Sequence, residues 1–293
     1  MDGALILDKP KGITSHDAVA AARRLLGEKR IGHAGTLDPL ATGVLVLLCG
    51  RATRLSRFIM ASGKTYEARI LFGVTTDTYD ITGTITSQSP SAPSMADVEQ
   101  ALPSLRGSYL QAPPAFSAKK VQGQRAYEMA RRQEAVELTA VPVTVSRLDV
   151  TALEGPHLTI VLTCSAGFYV RSFAHALGQL TGTGACLEAL RRTRSGDFAV
   201  EDAVRLDDAQ ASDNLVTHVI PIDSLLRSLP AKVLTAEGRQ YVTHGRELTP
   251  RQFAGGDEAA ESGAWVRLLD PEGRLVAVGR TTGATLHPSI VLI

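Results

Sequence analysis

The sequence predicts an α+β protein with a large N-terminal part and a small, β-rich C-terminal part. Three observations support this: strand and helix patterns are mixed, regular βαβ repetition is missing, and a Leu-Pro pair at residues 229–230 precedes a tail of short strands and glycine turns. A chain of 293 residues suits one large domain and one small one. We therefore divide the chain into residues 1–228 and 229–293.

The beginning of the large part alternates between buried strands and short helices. Residues 4–7 and 43–48 are apolar runs that predict buried strands, and residues 64–72 alternate between apolar and polar side chains, as in a half-buried strand. Ser15 is expected to cap a helix that Gly27 ends, and residues 53–60 have a helical rhythm. A glycine-rich loop therefore leads from the first helix into the second buried strand.

Further along, turn residues separate the predicted elements. Ser94 and Asp97 predict a helix start, prolines 113–114 predict a loop, and a basic helix is expected over residues 125–132. Residues 141–152 and 157–164 predict paired strands, and residues 170–180 predict a helix. The tail after residue 230 predicts one short helix and several short strands.

The composition excludes several classes of protein. Three isolated cysteines provide neither a disulfide framework nor a metal-binding CxxC pair, and the seven histidines lack HxxxH or HExxH spacing. We therefore expect no metal and no cofactor. The N-terminus does not resemble a signal peptide, and the longest apolar runs are too short to span a bilayer. A reducing cytoplasm without a membrane partner is the expected location.

Basic residues are concentrated in one segment although the net charge is only +1. Residues 106–147 hold seven Lys or Arg against three Glu, including Lys119, Lys120, Arg131 and Arg132. On charge alone this segment could be an ordinary solvated face or an RNA-binding surface.

The segment GHAGTLDPLATGVL, residues 32–45, presents a single carboxylate, Asp38, among glycines, a proline and small hydroxyl residues. A loop of this kind holds a reactive group rigidly, although an Asp beside a Pro is also a common turn residue. The segment matches neither GxxxxGK[ST] nor GxGxxG, so phosphate-loop and dinucleotide sites are not indicated.

This segment resembles the catalytic segment of the TruB family of tRNA pseudouridine synthases. The resemblance continues, in the family's order, through LILDKPKGITSHDAV (5–19), KTYEARILFGVTTDTYD (64–80), QAPPAFSAKKVQGQRAYEMAR (111–131), GFYVRSFAHALG (167–178) and LRRTRSGDF (190–198). The tail segment LTAEGRQYVTHGRELTP (234–250) resembles the family's PUA module. Two positions depart from the family pattern: Val141 replaces a frequent basic residue and His175 a frequent acidic one.

The resemblance implies a pseudouridine synthase fold, with a mixed, largely antiparallel sheet flanked by helices and a small β-barrel-like PUA domain. An RNA-binding insertion is expected at about residues 105–147. The implied reaction is isomerisation of uridine 55 in the tRNA T loop to pseudouridine, and the implied partner is the T stem-loop.

The family likeness also implies roles for individual residues. Asp38 would be the nucleophile, Arg171 would keep it ionised and oriented, and Tyr66 would stack on the flipped uracil and take its C5 proton. Leu190 would pack near the base and His33 would contact RNA. Lys64 would be an RNA-binding residue, as would the basic residues of the insertion.

The implied reaction requires few chemical groups. Cleaving the C–N glycosidic bond, turning the uracil and forming a C–C bond involve no redox step, and one carboxylate can take up the electrophile. The residues leave open whether Asp38 attacks C1′ or the base, or assists elimination to a glycal.

Two other classes of protein compete with this interpretation. A non-catalytic RNA-binding or tRNA-folding factor would not need Asp38, Tyr66 and Arg171 together. A glycosidase or nucleosidase would need a second acid for the leaving group, and no second carboxylate is evident in the motifs.

Overall fold

A computed structural model of the protein describes residues 1–117, 120–121, 124–125, 129, 132, 138–206, 208, 215–255 and 261–293. Its α-helices are α1 (Ser15–Leu26), α2 (Ser56–Ala61), α3 (Met95–Ala101), α4 (Val170–Leu180) and α5 (Ala236–Thr243). Short 3₁₀ helices span Gly50–Leu55, Leu102–Leu105, Val200–Asp202, Leu215–His218, Ile222–Ser224 and Pro250–Gln252. None of the helices in the described part of the chain is long and apolar enough to cross a membrane.

The strands are β1 (Gly3–Lys9), β2 (Ile31–His33), β3 (Thr42–Cys49), β4 (Lys64–Phe72), β5 (Val74–Thr76), β6 (Ile85–Gln88), β7 (Gly107–Gln111), β8 (Lys120–Val121), β9 (Gln124–Arg125), β10 (Val141–Glu154), β11 (His157–Cys164), β12 (Ala185–Ser195), β13 (Phe198–Ala199), β14 (Val204–Arg205), β15 (Ile220–Pro221), β16 (Ala231–Val233), β17 (Trp265–Leu269), β18 (Leu275–Thr282) and β19 (Thr285–Val291).

One large sheet dominates the described structure. Its main path runs β14-β1-β3-β12-β4-β11-β10-β7, and β2, β13 and β15 pair beside it. Its strands pair antiparallel except for β1 with β14 and β3 with β12. The predicted α+β class with a mixed, largely antiparallel sheet is therefore confirmed.

Side-chain alternation divides the core between the two faces of this sheet. In β1 and β3, Leu5 and Leu45 point into one apolar cluster, which also contains Phe173 of α4. Ile6 and Val46, one residue further along, point into a second cluster on the other face. The predicted alternation of β4 is also observed, because alternate residues from Lys64 to Phe72 are buried.

The C-terminal strands form a separate four-stranded sheet in the order β16-β17-β18-β19. Val278, Ile290 and Leu292 of this part lie in the second apolar cluster, against the β1–β3 face of the large sheet. The two sheets therefore share buried surface. The barrel-like form of the predicted PUA domain and the boundary at residue 228 stay predictions.

Among the local predictions two were wrong and one was confirmed. The N-cap of α1 is Thr14, whose hydroxyl accepts from the Asp17 backbone N–H, while Ser15 is the first helical residue. The helical rhythm of residues 53–60 is confirmed, because these residues lie in a 3₁₀ helix that continues into α2. Arg125 lies in β9 instead of starting a basic helix, and most of the remaining residues of that helix lie outside the described residues.

Candidate active site

Asp38 lies on the loop between β2 and β3, and hydrogen bonds to the backbone fix this loop from both sides. The guanidinium of Arg192, which is 1% exposed, donates to the carbonyls of Gly35 (3.1 Å) and Thr36 (3.4 Å). It also donates to the carbonyl of Val44 at 2.7 Å, where β3 begins. One buried cation thus ties the loop to the strand that follows it.

Ser15 fixes the residue next to Asp38. Its buried hydroxyl donates to the Leu37 carbonyl at 3.0 Å and accepts from the Leu37 N–H at 2.9 Å. On the other side, the N–H of Gly12 donates to the carbonyl of Pro39 at 2.8 Å. The backbone therefore has little freedom around Asp38, and this is how a reactive group is preorganised.

The carboxylate of Asp38 forms an ion pair with Arg171, at 2.9 Å between Oδ2 and Nε. The Asp38 side chain is 39% exposed whereas that of Arg171 is 8% exposed, so the acid faces solvent and the cation lies behind it. Arg171 also donates to the carbonyls of Thr78 and Phe116, at 3.0 Å each. These bonds leave the guanidinium in one orientation, with its Nε directed at Asp38.

A second carboxylate from the motifs, which the sequence interpretation did not identify, accompanies this pair. Asp80 Oδ2 lies 3.7 Å from Arg171 Nη1, and its side chain is 6% exposed. Its Oδ1 accepts from the Thr82 N–H and from the Thr78 hydroxyl, at 3.0 and 3.1 Å. Because Asp80 is buried and used in these bonds, it is not placed as an acid for a leaving group.

Tyr66 lies on the buried face of β4, directly across from Arg192 of β12. Burial raises the pKa of its phenol, and the nearby Arg192 guanidinium opposes that rise. The Tyr66 hydroxyl is therefore protonated at neutral pH in the free protein. Leu190, two residues before Arg192, is partly buried and pairs with Ala68 of β4, so it belongs to the same wall.

His33 ends β2 at the start of the loop that carries Asp38. Its ring meets the edge of His16 with 5.4 Å between centroids, and its buried Nδ1 has no hydrogen-bond partner among the described residues. Burial, followed by the charges of His16 and Arg192, lowers its pKa. A neutral imidazole at the loop base is compatible with a contact to RNA.

Two lysines near the site are buried. Lys64 donates to the carbonyls of Met60 (2.6 Å) and Ser62, and Lys9 donates to those of Pro10 and Ile13, at 2.9 Å each. Desolvation lowers the pKa of both ammonium groups to about 8. The geometry of Lys64 favours a structural role, and its predicted contact with RNA stays a prediction.

Comparison with known proteins identifies the family. Residues 23–170 match the model described as "TruB family pseudouridylate synthase (N terminal domain)", and residues 171–227 match "tRNA pseudouridylate synthase B C-terminal domain". The chain is 41% identical to tRNA pseudouridine synthase B of Solibacter usitatus over 297 positions, covering all of both chains. It is 35% identical to the Aquifex aeolicus protein of the same name, again with full coverage.

The chain belongs to the TruB family of pseudouridylate synthases. The predicted family and the predicted class of enzyme, an isomerase, are therefore confirmed. A chain of a Cbf5-Nop10-Gar1 complex superposes with a TM-score of 0.76 at 25% identity, covering 99% of this chain and 85% of that one. A chain of an H/ACA RNP structure gives 0.74 at 24% identity, and this likeness shows the fold alone.

The TruB insertion is only partly described. Lys119 and Arg131 lie outside the described residues, and for Lys120 the structure gives only its backbone in β8. Arg132 is exposed and donates to the side chain of Gln124 at 2.7 Å. The RNA-binding role predicted for these residues stays a prediction.

Residues that the sequence interpretation missed lie inside the TruB motifs themselves. Ser15, Asp80 and Arg192 are each separated by at least 22 positions from the residues that they hold, so no local spacing reveals the contact. A signal did exist for Arg192, since it follows the assigned pocket residue Leu190 by two positions, and alternate strand residues share a face.

Proposed function

We propose that this chain converts uridine 55 in the T loop of tRNA to pseudouridine, with Asp38 as the nucleophile. The observation that carries the proposal is the pair formed by Asp38 and Arg171: an accessible carboxylate on a fixed loop, held at 2.9 Å by a buried guanidinium. A cation in this position orients the acid by a charge-assisted hydrogen bond, in a site that RNA would close to water. The names of the full-length relatives support tRNA as the substrate.

The reaction is an isomerisation in which nothing is gained or lost. The bond between N1 of uracil and C1′ breaks, the base turns, a bond forms between C5 and C1′, and the C5 proton leaves to solvent while N1 gains one. A carboxylate that takes up the electrophile divides this change into two easier steps. Asp38 supplies that carboxylate, and the buried wall formed by Tyr66 and Leu190 would retain the detached base.

The target uridine must leave its stack to reach Asp38, as substrates of base-modifying enzymes do. Tyr66 offers its ring for stacking on the flipped base and, after its phenol has released its proton to solvent, its phenolate oxygen for the C5 proton. His33 ends β2 at the start of the loop, and we propose that it contacts the RNA where the target nucleotide leaves its stack. The T stem-loop is the expected partner, the insertion and the C-terminal sheet are the expected additional RNA contacts, and the cytoplasm is the expected location.

Tritium release tests the proposal directly. A T stem-loop RNA with C5-tritiated uridine at the target position, incubated with the protein alone, should release tritium to water, while the same stem-loop with its label at another uridine should not. Retention of all tritium with normal RNA binding would contradict the proposal and support an RNA-folding factor.

Replacing the nucleophile makes the test specific. Asp38→Asn is nearly isosteric, so the protein should fold and bind RNA, but turnover should be abolished because the amide is not a nucleophile. Asp149→Asn is the matched control, since Asp149 lies in β10, pairs with Arg147 and has a side chain that is 45% exposed. Multiple turnover by a verified Asp38→Asn preparation would overturn the assignment.

A further inference from the structure

A stacked pair of rings joins helix α4 to the turn that follows β5. The rings of Tyr79 and His175 lie 3.9 Å apart between centroids, with 9° between their planes. Both residues are half-buried. None of the roles derived above uses either ring.

The backbone of Tyr79 makes this contact unusual. Its φ is +63°, in the left-handed region that side chains with a Cβ rarely adopt, and Leu226 is the other non-glycine example in the described chain. A bulky residue in this conformation is strained, and strain persists only where surrounding contacts fix it. The contacts that fix it are the ring stack and two backbone hydrogen bonds. The Tyr79 N–H donates to the Thr76 carbonyl at 3.3 Å, and the Tyr79 carbonyl accepts from the Leu187 N–H at 2.9 Å.

His175 is equally hard to explain as an ordinary core residue. Its Nδ1 is buried and has no hydrogen-bond partner among the described residues. A buried polar atom without a partner is unfavourable, so hydrogen bonding of Nδ1 does not explain why an imidazole occupies this position. The stacking of the His175 ring face on Tyr79 explains it.

The same helix face carries the residue that orients Asp38. Arg171 and His175 are four positions apart in α4, so their side chains are neighbours on one face. Arg171 donates to the Thr78 carbonyl at 3.0 Å and lies 3.7 Å from the Asp80 carboxylate, while His175 stacks on Tyr79 between them. Three consecutive residues of the turn are thus held by two residues of α4.

We infer that Tyr79 and His175 are a positioning pair for catalysis, which keeps the Thr78 carbonyl and the Asp80 carboxylate where they orient Arg171 towards Asp38. Neither ring contacts the reacting atoms; both act through Arg171. Without the stack the turn is no longer held against α4, and the Thr78 carbonyl and the Asp80 carboxylate shift relative to the guanidinium that they orient. The inference rests on the proposed role of Asp38.

The test removes the ring while keeping the turn. Asn tolerates the left-handed conformation, so Tyr79→Asn should keep the backbone and lose only the stack. Its single-turnover rate of tritium release at saturating RNA should fall about 10-fold to 100-fold, the range expected for a small misplacement of a catalytic group, with RNA affinity unchanged. Tyr79→Phe keeps the ring, so its rate should stay close to that of the wild type.

Two further variants separate positioning from general stability. His175→Ala should slow the reaction as Tyr79→Asn does, and the double variant should be no slower than either single one, because both changes break one contact. In an Asp80→Asn background, Tyr79→Asn should have a smaller effect than in the wild type. If Tyr79→Asn does not fold, His175→Ala alone decides, since alanine suits a helix.

The outcomes are distinguishable from a failure of the proposed function. A wild-type protein without tritium release would overturn that function. An active wild type with equally fast Tyr79→Asn and His175→Ala variants would overturn the positioning pair. So would losses of rate that accompany equal losses of RNA affinity and thermal stability, since those indicate a merely structural contact.

Discussion

At the scale of single residues, the site combines an accessible acid with buried cations. Asp38 is the exposed member, while Arg171 and Arg192 are almost completely buried, one bound to the acid and the other to the carbonyls of its loop. A buried guanidinium is favourable only if its donors are satisfied, and both find carbonyl acceptors. The cations thus have fixed directions before RNA arrives, so the site is preorganised.

Tyr66→Phe distinguishes a catalytic hydroxyl from a stacking ring. The variant keeps the ring and its burial, so RNA affinity should hardly change. If the hydroxyl takes the C5 proton, the single-turnover rate should fall about 100-fold to 10,000-fold, as for a positioned general base. A near-normal rate would exclude Tyr66 as the base, and Tyr66→Ala should then be the damaging change, through loss of stacking.

The pH profile gives a second view of Tyr66. Burial raises the pKa of its phenol, so the phenolate is scarce at neutral pH and its fraction increases as pH rises. If the phenolate is the base, the wild-type rate should rise about 10-fold per pH unit above neutrality, and the residual rate of Tyr66→Phe should not. The same pH dependence in both proteins would assign the rise to another group.

At the scale of elements, patterns within one strand were predictable and contacts between distant segments were not. The alternation of β4 gave its bounds, 64–72, and its buried face. Strand β12 was missed because charged residues interrupt its pattern and two bulges, between Leu187 and Ala189 and between Arg192 and Arg194, shift its alternation. The same limit applies to the site, where the motif residues were found but the contacts of Ser15 and Asp80 were not.

Ser15 gives an element-scale prediction for the loop that carries Asp38. In Ser15→Ala the buried N–H and carbonyl of Leu37 lose their partner, which should destabilise the fold by about 1–3 kcal/mol and loosen the residue before Asp38. We expect kcat to fall about 10-fold with little change in KM, because orientation of the acid is affected more than RNA binding.

Thr14→Ala is the control for this prediction. It removes the N-cap of the same helix, with a comparable loss of about 1 kcal/mol, but Thr14 has no hydrogen bond to the loop. Thermal unfolding and steady-state kinetics of both variants decide the matter. Equal kcat values for the two variants would mean that Ser15 contributes to stability only.

At the scale of the whole molecule, the two sheets are joined by more than a linker. The rings of Trp265 and Phe58 of α2 are T-shaped, with 5.1 Å between centroids, and the Arg57 guanidinium lies 4.2 Å from the Trp265 centroid. Arg51 and Arg54 donate to the backbone carbonyls of Leu292 and Val291. The C-terminal sheet is therefore attached in a defined orientation, which a second RNA contact at a fixed distance from Asp38 would require.

This attachment leads to a prediction about residues 229–293. If residues 1–228 are a separate domain, they should fold alone. The shared apolar cluster implies instead that deletion of residues 229–293 exposes the β1–β3 face, including Ile6 and Val46. We expect the truncated chain to aggregate or to unfold at a much lower temperature, because an apolar face of this kind is normally covered.

Calorimetry of the full chain tests the same point without a deletion. If the two sheets share one core, heating should give a single transition, and Ile290→Ala should lower the stability of the whole chain by about 2–5 kcal/mol. Leu268→Ala is the comparison, because Leu268 is buried in the C-terminal part's own cluster. The shared core would be contradicted by two thermal transitions of which both substitutions lower the temperature of only one. A soluble and active chain of residues 1–228 would support the same conclusion, that the domains are independent.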